Sequence, residues 1–207
     1  MHILIVDDHP LFRMGLRAII SASTEAQPAV VECDNFDCAQ RLLEKTSFDL
    51  ILLDLLMPGL ATLEEVFNLV AMSGRAAVAV VSGVATPDIA EMVRLSGAAA
   101  FIPKTLPPEE IGSALRTVMR GEQVFCGMPG AANAAKGEDA ALTPMQRKVM
   151  LLLSKGKSNK EIANELQLSA NTIKVHVTKI LKKFGVSSRA QAIAAIRRAP
   201  QPETVDD

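Results

Sequence analysis

Nowhere in the 207 residues is there an apolar run long enough to span a bilayer, although 49% of them are hydrophobic. Nor does the chain open with a basic stretch followed by an apolar segment and a cleavage site. Both absences argue against export and membrane insertion, so a cytoplasmic protein with no membrane partner is expected. Cysteine is scarce. Cys33, Cys38 and Cys126 are odd in number and lack metal-ligand spacing, which argues against a disulfide framework and reads as three reduced thiols without a function.

An excess of charge is missing too, since the net value is -1, but the average conceals a division. Residues 1–121 carry 9 basic against 15 acidic side chains, residues 142–199 carry 12 against 2, and residues 200–207 carry none against 3. A short segment that basic is a candidate for binding a polyanion, although a solvated basic face has the same composition. Motifs must separate the two.

What is present is a regular alternation. Short apolar runs at His2–Val6, Ala29–Glu32, Leu50–Leu53, Ala77–Val81 and Ala99–Ile102 read as strands. Between and after them, Pro10–Ile20, Phe36–Lys45, Leu63–Met72, Pro87–Ser96 and Pro107–Arg120 have helical periodicity, several with proline near the first turn. Five β/α units predict a doubly wound, five-stranded parallel sheet with right-handed crossovers, an α/β domain over residues 1–121. Residues 122–141 are rich in small residues, Gly and charge and are expected to be a linker. Thr143-Pro144-Met145-Gln146 then has the form of a capping box, opening a helix to Ser154. Helices over Asn159–Leu166, Ala170–Phe184 and Arg189–Arg198 complete a small all-α domain at 142–199, and residues 200–207 are expected to be a disordered acidic tail.

Within the first domain, FDLILLDLLMPG (Phe48–Gly59) ends an apolar run on a carboxylate, Asp54. Burying an unpaired carboxylate there would cost several kcal/mol, so something must stabilise it or use it. Chemistry in open α/β sheets gathers at the carboxyl ends of strands. Four polar features stand there: Asp7-Asp8 after the first run, Asp54 after the third, Ser82 after the fourth and Lys104 after the fifth. Converging carboxylates repel unless a cation offsets them, and Mg²⁺ suits a site with one or two direct carboxylates. Lys104 supplies a fixed positive charge, and the Ser82 hydroxyl can donate to an oxyanion. Each residue alone has a structural reading, Asp8 for instance as the cap of the helix at Pro10. The set at four strand ends does not.

VDDHPL (Val6–Leu11), DLLMPG (Asp54–Gly59), VVSG (Val80–Gly83) and GAAAFIPK (Gly97–Lys104) resemble the receiver domain of bacterial two-component response regulators, the CheY/flavodoxin-like fold. The resemblance implies that Asp54 accepts a phosphoryl group from a sensor histidine kinase. It implies Mg²⁺ on Asp8, Asp54 and the Leu56 carbonyl, with Asp7 acting through water. Lys104 would pair with the phosphoryl group, Ser82 would hydrogen-bond it, and Phe101 would be the aromatic that reorients with Ser82. Two departures are visible: Leu60-Ala61-Thr62 follow MPG where relatives often have an acidic-Gly turn, and Lys104 is followed by Thr105 rather than Pro.

In the basic segment, a short helix, a tight turn around Gln167–Ser169 and a longer lysine-bearing helix make a helix-turn-helix, whose second helix enters the major groove. Ile173, Val177, Ile180 and Leu181 have core spacing, while Asn171, Lys174, Val175 and Thr178 share another face. His176 lies between and reads as packed or hydrogen-bonded. This half resembles the LuxR-type DNA-binding domain of NarL/FixJ regulators, through Leu142-Thr143, Gly156, Ser158–Ala163, Leu166, Ser169, Thr172–His176 and Gly185-Val186. The resemblance implies base contacts from Lys174 and Val175 and phosphate contacts from Ser158, Asn159, Thr172 and Lys182. Thr178 stands where relatives often carry a basic residue, with Lys179 able to contribute to backbone contact.

The reading is a non-enzymatic, DNA-binding response regulator that is a homodimer on promoter double-stranded DNA when active, phosphorylation at Asp54 controlling dimerisation, domain release or both. The alternative is a phosphorylation-independent regulator using the receiver as an interaction module. An aspartyl-phosphate hydrolase is a third class, but enzymes of the haloacid-dehalogenase type carry a second acid where Leu56 stands.

Overall fold

The computed structural model describes residues 1–24, 27–126 and 141–198. Elements alternate through the first half: β1 (His2–Val6), α1 (Pro10–Ser23), β2 (Ala29–Cys33), α2 (Phe36–Leu43), β3 (Leu50–Leu53), α3 (Leu63–Met72), β4 (Ala77–Ser82), α4 (Pro87–Ser96), β5 (Ala100–Pro103), α5 (Pro108–Met119) and β6 (Val124–Phe125). Every pairing is parallel, in the order β2-β1-β3-β4-β5-β6. Helices on both faces explain the unbroken apolar strands: all four residues of β3 are buried, with Leu4, Val6, Ile51 and Leu53 in one core layer and Ile3, Ile5, Leu50 and Leu52 in the other. Each such Leu or Ile contributes roughly 1.5–3 kcal/mol by leaving water.

The sheet has six strands rather than five. Val124-Phe125 lies in the stretch expected to be linker, yet its backbone pairs with Ala100-Phe101 of β5 and Phe125 enters the core. Two residues are too few to announce a strand by periodicity, and only the neighbouring edge makes them one. Residues 127–140 of the expected linker and the expected tail lie outside the described residues.

Proline opens α1 and α4, and α3 starts with a capping box from Thr62 to Glu65. The departure after MPG thus supplies the Thr that caps α3. Asp8 is not the cap of α1; His9 holds that position, because Pro10 is the first helical residue, and its side chain makes no capping bond.

The second half is α6 (Pro144–Ser154), α7 (Asn159–Leu166), α8 (Ala170–Lys183) and α9 (Arg189–Arg197). Capping boxes open α6 (Thr143, Gln146), α7 (Ser158, Glu161) and α9 (Ser188, Gln191). Gln167 ends α7 in the left-handed region at φ 54°, turning the chain into α8. Ile173 and Ile180 are buried and Val177 and Leu181 pack on the same core. His176 is packed, but its Nδ1 has no hydrogen-bond partner, so the expected alternative of a bonded ring does not hold for that atom.

The halves share apolar surface. Phe67 of α3 and Leu95 of α4 join the core of the helical domain, and the Phe67 and Phe184 rings lie 6.2 Å apart. Around them, Ser154 Oγ donates to Glu64 Oε1 (2.6 Å), the Leu142 amide to the Leu95 carbonyl (3.1 Å), the Leu63 amide to the Arg198 carbonyl (3.2 Å) and Arg198 Nη1 to Asp88 Oδ2 (3.2 Å). Gly97, the C-cap of α4 at φ +87°, lies against Arg147, whose guanidinium occupies the space a Cβ would need. Among the described residues no helix is long and apolar enough to cross a membrane.

One cysteine expectation is corrected. Cys33 and Cys38 are disulfide-bonded, leaving only Cys126 free. Their Cα atoms come within 5.8 Å because the chain reverses from the end of β2 into the first turn of α2.

Candidate functional site

Strand register brings the acidic residues together. β1 pairs with β3 so that Val6 lies beside Leu53, and the residues that follow, Asp7 and Asp54, leave the sheet at the same edge. The Asp54 amide donates to the Val6 carbonyl (2.9 Å) and the Asp7 amide to the Cys33 carbonyl (3.0 Å), which anchors both at the backbone. Both carboxylates are about 1% exposed. Two buried like charges so close require a counter-charge, and Lys104 provides it: Nζ lies 2.6 Å from Asp7 Oδ2 and 2.8 Å from Asp54 Oδ2. The Lys104 amide donates to the Ser82 carbonyl (2.8 Å), and its Nζ lies 4.5 Å from the centre of the Phe12 ring.

Other lone pairs are partly used. Asp54 Oδ1 accepts from the Leu56 amide (3.2 Å), and Asp7 Oδ1 from the His9 amide (2.9 Å). Arg13 Nη1 donates to the Asp7 carbonyl (2.7 Å) and its Nε to Glu32 (2.9 Å). Burial pushes the Glu32 carboxyl up, but Arg17 and Arg13 outweigh it and hold the group below its usual range. Asp8 Oδ1 is buried and makes no well-aligned hydrogen bond, although His9 Nδ1 lies 2.6 Å from it. Ligand atoms of Asp7, Asp8, His9 and Asp54 lie within 4.8 Å of one another, a cluster that could hold a metal ion. Three clustered carboxylates are a donor set suited to a hard divalent cation.

Ser82 is the last residue of β4 rather than the residue after it, fully buried, its Oγ accepting from the Val84 amide (3.1 Å). Phe101 is buried in β5. An open cleft of about 480 Å³, lined by His9, Leu11, Phe12, Asp54, Leu56, Gly83 and Lys104, leads to Asp54. The structure therefore brings together Asp7, Asp8, Asp54 and Lys104, sets Leu56 at the cleft wall, and holds Ser82 and Phe101 in neighbouring strands. Sequence reasoning missed His9 and Arg13. His9 was signalled only by its adjacency to the acidic pair, and Arg13 by its place one helical turn later.

On the helical domain, Asn171, Lys174, Val175, Thr178, Lys179 and Lys182 are exposed along α8, with Thr172 half-buried at its start. The receiver helices meet α6 and α9, which leaves this side of α8 open to solvent. Ser158 is exposed and Asn159 half-buried where α7 begins. The Ser158 hydroxyl is engaged in its capping box with Glu161, and Thr178 Oγ1 donates to the Lys174 carbonyl (3.0 Å). Both hydroxyls thus have local partners, whereas the lysines are free to extend.

Comparison with known proteins agrees with this division. The family described as "Response regulator receiver domain" matches residues 3–116, and "Bacterial regulatory proteins, luxR family" matches residues 140–196. The nitrate/nitrite response regulator protein NarL of Escherichia coli is 35% identical over 92% of each chain. The transcriptional regulatory protein LiaR of Bacillus subtilis is 31% identical over 96% of this chain and 97% of its own. Among solved structures, RcsB from Salmonella enterica serovar Typhimurium, bound to promoter rprA with a phosphomimetic, shares the fold at a TM-score of 0.55 and 21% identity, covering 95% and 98%. The chain belongs to the two-component response regulators, transcription regulators in which a receiver is followed by a luxR-family DNA-binding domain.

Proposed function

We propose that Asp54 is the phosphoacceptor of a receiver spanning residues 1–121, and that its modification by a sensor histidine kinase controls promoter binding by residues 142–199. The buried Asp7–Lys104–Asp54 bridge at the mouth of the cleft carries this reading. In it, an Asp54 carboxylate oxygen attacks the phosphorus of the kinase phosphohistidine, the N–P bond breaks, and the imidazole keeps the electron pair. Lys104 Nζ, already between the two carboxylates, pairs with the incoming phosphoryl oxygens. Ser82 turns from the Val84 amide to donate to one of them, and Phe101 reorients in the space Ser82 leaves. Asp8, Asp54 and the Leu56 carbonyl, with Asp7 through water, would hold Mg²⁺, whose charge would offset that of the phosphoryl group. Such transfer is mostly positioning and charge compensation, which matches a rigid strand end. The chain turns over no substrate beyond its own aspartyl phosphate. We place it in the cytoplasm, where kinase output and promoter DNA meet.

Phosphorylation replaces the single negative charge of the Asp54 carboxylate by the roughly two of an acyl phosphate, and is read out as dimerisation, domain release or both. The exposure of Lys174 and Val175 while the domains are in contact favours the dimerisation arm, since the base-reading face needs no uncovering. On DNA, Lys174 and Val175 touch bases from α8 with Asn171 and Thr178 beside them, and Ser158, Asn159, Thr172, Lys179 and Lys182 approach phosphates. Two subunits then read half-sites about one helical turn apart. The test is incubation with acetyl phosphate and Mg²⁺, followed by intact mass, oligomeric state and promoter affinity. A phosphate on wild type, none on Asp54→Asn, and a gain in dimer and affinity are expected. Unmodified Asp54 with unchanged assembly would instead favour the phosphorylation-independent regulator.

A further inference from the structure

Two cysteines sit beside the acceptor pocket. Cys33 ends β2 and is buried; Cys38, in the first turn of α2, is half-exposed, and the two are bridged. The segment from Cys33 to Cys38 is tied to the chain around the acceptor by two backbone hydrogen bonds. The Cys33 carbonyl accepts the amide of Asp7, and the Phe36 amide donates to the Pro58 carbonyl (3.0 Å), four residues past Asp54. Phe36 also seats Gly59, where φ is +87° and an added Cβ would lie 3.2 Å from the Phe36 Cβ. Asn35 caps α2 by accepting the Cys38 amide (2.8 Å). One short segment thus holds the backbone of Asp7 on one side and the loop after the acceptor on the other.

We propose that Cys33 and Cys38 are a reversible oxidation site that tunes the acceptor, the bridged form taking the phosphoryl group faster than the dithiol. The coupling rests on the reading of Asp54 given above. In a reducing compartment a bridge between near neighbours is a sensor rather than a scaffold. The oxidant class is a low-molecular-weight disulfide such as oxidised glutathione. The half-exposed Cys38 thiolate attacks one glutathione sulfur, breaking that S–S bond and releasing one glutathione thiolate, which takes a proton. Cys33 then attacks the Cys38 sulfur of the mixed disulfide and releases the second glutathione. Two protein thiols are oxidised and two glutathione thiols are formed. Closing the bridge ties the end of β2 to α2 and so fixes the Phe36–Pro58 contact; opening it lets the first turn of α2 shift and loosens the loop carrying Leu56. Cys126 does not compete, because burial and then Glu110 push its thiol up and keep it protonated.

The experiment uses the full chain in glutathione buffers of graded poise, with alkylation and mass spectrometry to count bridges and acetyl phosphate with Mg²⁺ to time Asp54 modification. The bridged fraction is expected to run from near complete to near absent while the protein stays folded. The bridged form should be phosphorylated about threefold faster or more, a loop-positioning effect. Cys38→Ser should show the dithiol rate in every buffer, and Asp54→Asn should still form the bridge while taking no phosphate. A bridge that never forms, one that survives excess reduced glutathione in the folded protein, or equal rates for both forms would overturn the proposal. Absence of phosphate on either form would overturn the acceptor reading and the coupling with it, while a bridge that titrates would still identify the redox pair.

Discussion

Replacing Lys104 by Met removes the only cation within ion-pair distance of Asp7 and Asp54 among the described residues apart from the partly exposed His9. The Asp7 and Asp54 side chains are 2% and 1% exposed and the lysine side chain 14%, so solvent screens the pair little. Breaking a buried pair by deleting one partner costs about 3–5 kcal/mol, because the remaining charge is stranded. Here two like charges are stranded together, and their partial hydration through the cleft brings the expected loss to about 3 kcal/mol. With a urea m-value of about 2–3 kcal/mol/M, that moves the midpoint down by roughly 1–1.5 M. Since the chain has no Trp or Tyr, the assay is far-ultraviolet circular dichroism rather than intrinsic fluorescence, in chelator and then in excess Mg²⁺. Cation binding to the same carboxylates should return about 1.4 kcal/mol at tenfold the dissociation constant. Adding Asp54→Asn to Lys104→Met should recover part of the loss as well, since only one stranded charge remains; the two changes should be non-additive by about 1–3 kcal/mol. A loss under about 1 kcal/mol in chelator, or additive behaviour of the pair, would refute the claim that Lys104 offsets both carboxylates.

On DNA, Lys174→Ala should weaken promoter binding by about 1–3 kcal/mol and relax specificity at one base pair, whereas Lys182→Ala should weaken all sequences alike and lower the salt slope by about 1; the check is titration of matched and scrambled sites at several salt concentrations. At the start of α7, the Glu161 carboxyl is held below its usual 4.5, first by the Ser158 hydroxyl and then by the Ser158 amide. Its folded value is the lower one, so its stabilisation is complete above 4.5 and disappears as pH falls through that lower value; the stability difference between wild type and Glu161→Gln should shrink as the pH falls from above 4.5 through the lowered value in urea titrations. Gly97→Ala places a side chain at φ +87° and against Arg147, so it should cost about 1–2 kcal/mol and loosen the contact between the domains, read as faster hydrogen exchange at the Leu142 amide that bonds the Leu95 carbonyl.

Local rules carried far because local and tertiary preferences agree here. The capping boxes at Thr143–Gln146 and Ser158–Glu161 were legible as patterns, since each depends on residues three apart and on nothing distant. The α/β order was legible for a similar reason: a strand covered on both faces must be apolar throughout, and proline tolerated only in a first turn marks where helices begin. The convergence of Asp7, Asp8, Asp54 and Lys104 followed from one topological rule about strand ends.

What failed was everything whose cause lay elsewhere in the chain. Val124-Phe125 is a strand only because β5 offers an unpaired edge. Cys33 and Cys38 look like separate thiols until the turn after β2 folds them together. His9 joins the acidic cluster, and Glu64 bonds Ser154 ninety positions away, through packing that no spacing encodes. By itself the sequence determined the two kinds of fold, their element types and the set of polar residues at the strand ends, because periodicity and capping act over a few residues. Only the tertiary structure decided that the helical domain packs its back against α3 and α4 with Lys174 and Val175 left open, and that a cysteine bridge lies behind Asp54. Those depend on which distant surfaces exclude water together, a property of the folded chain alone.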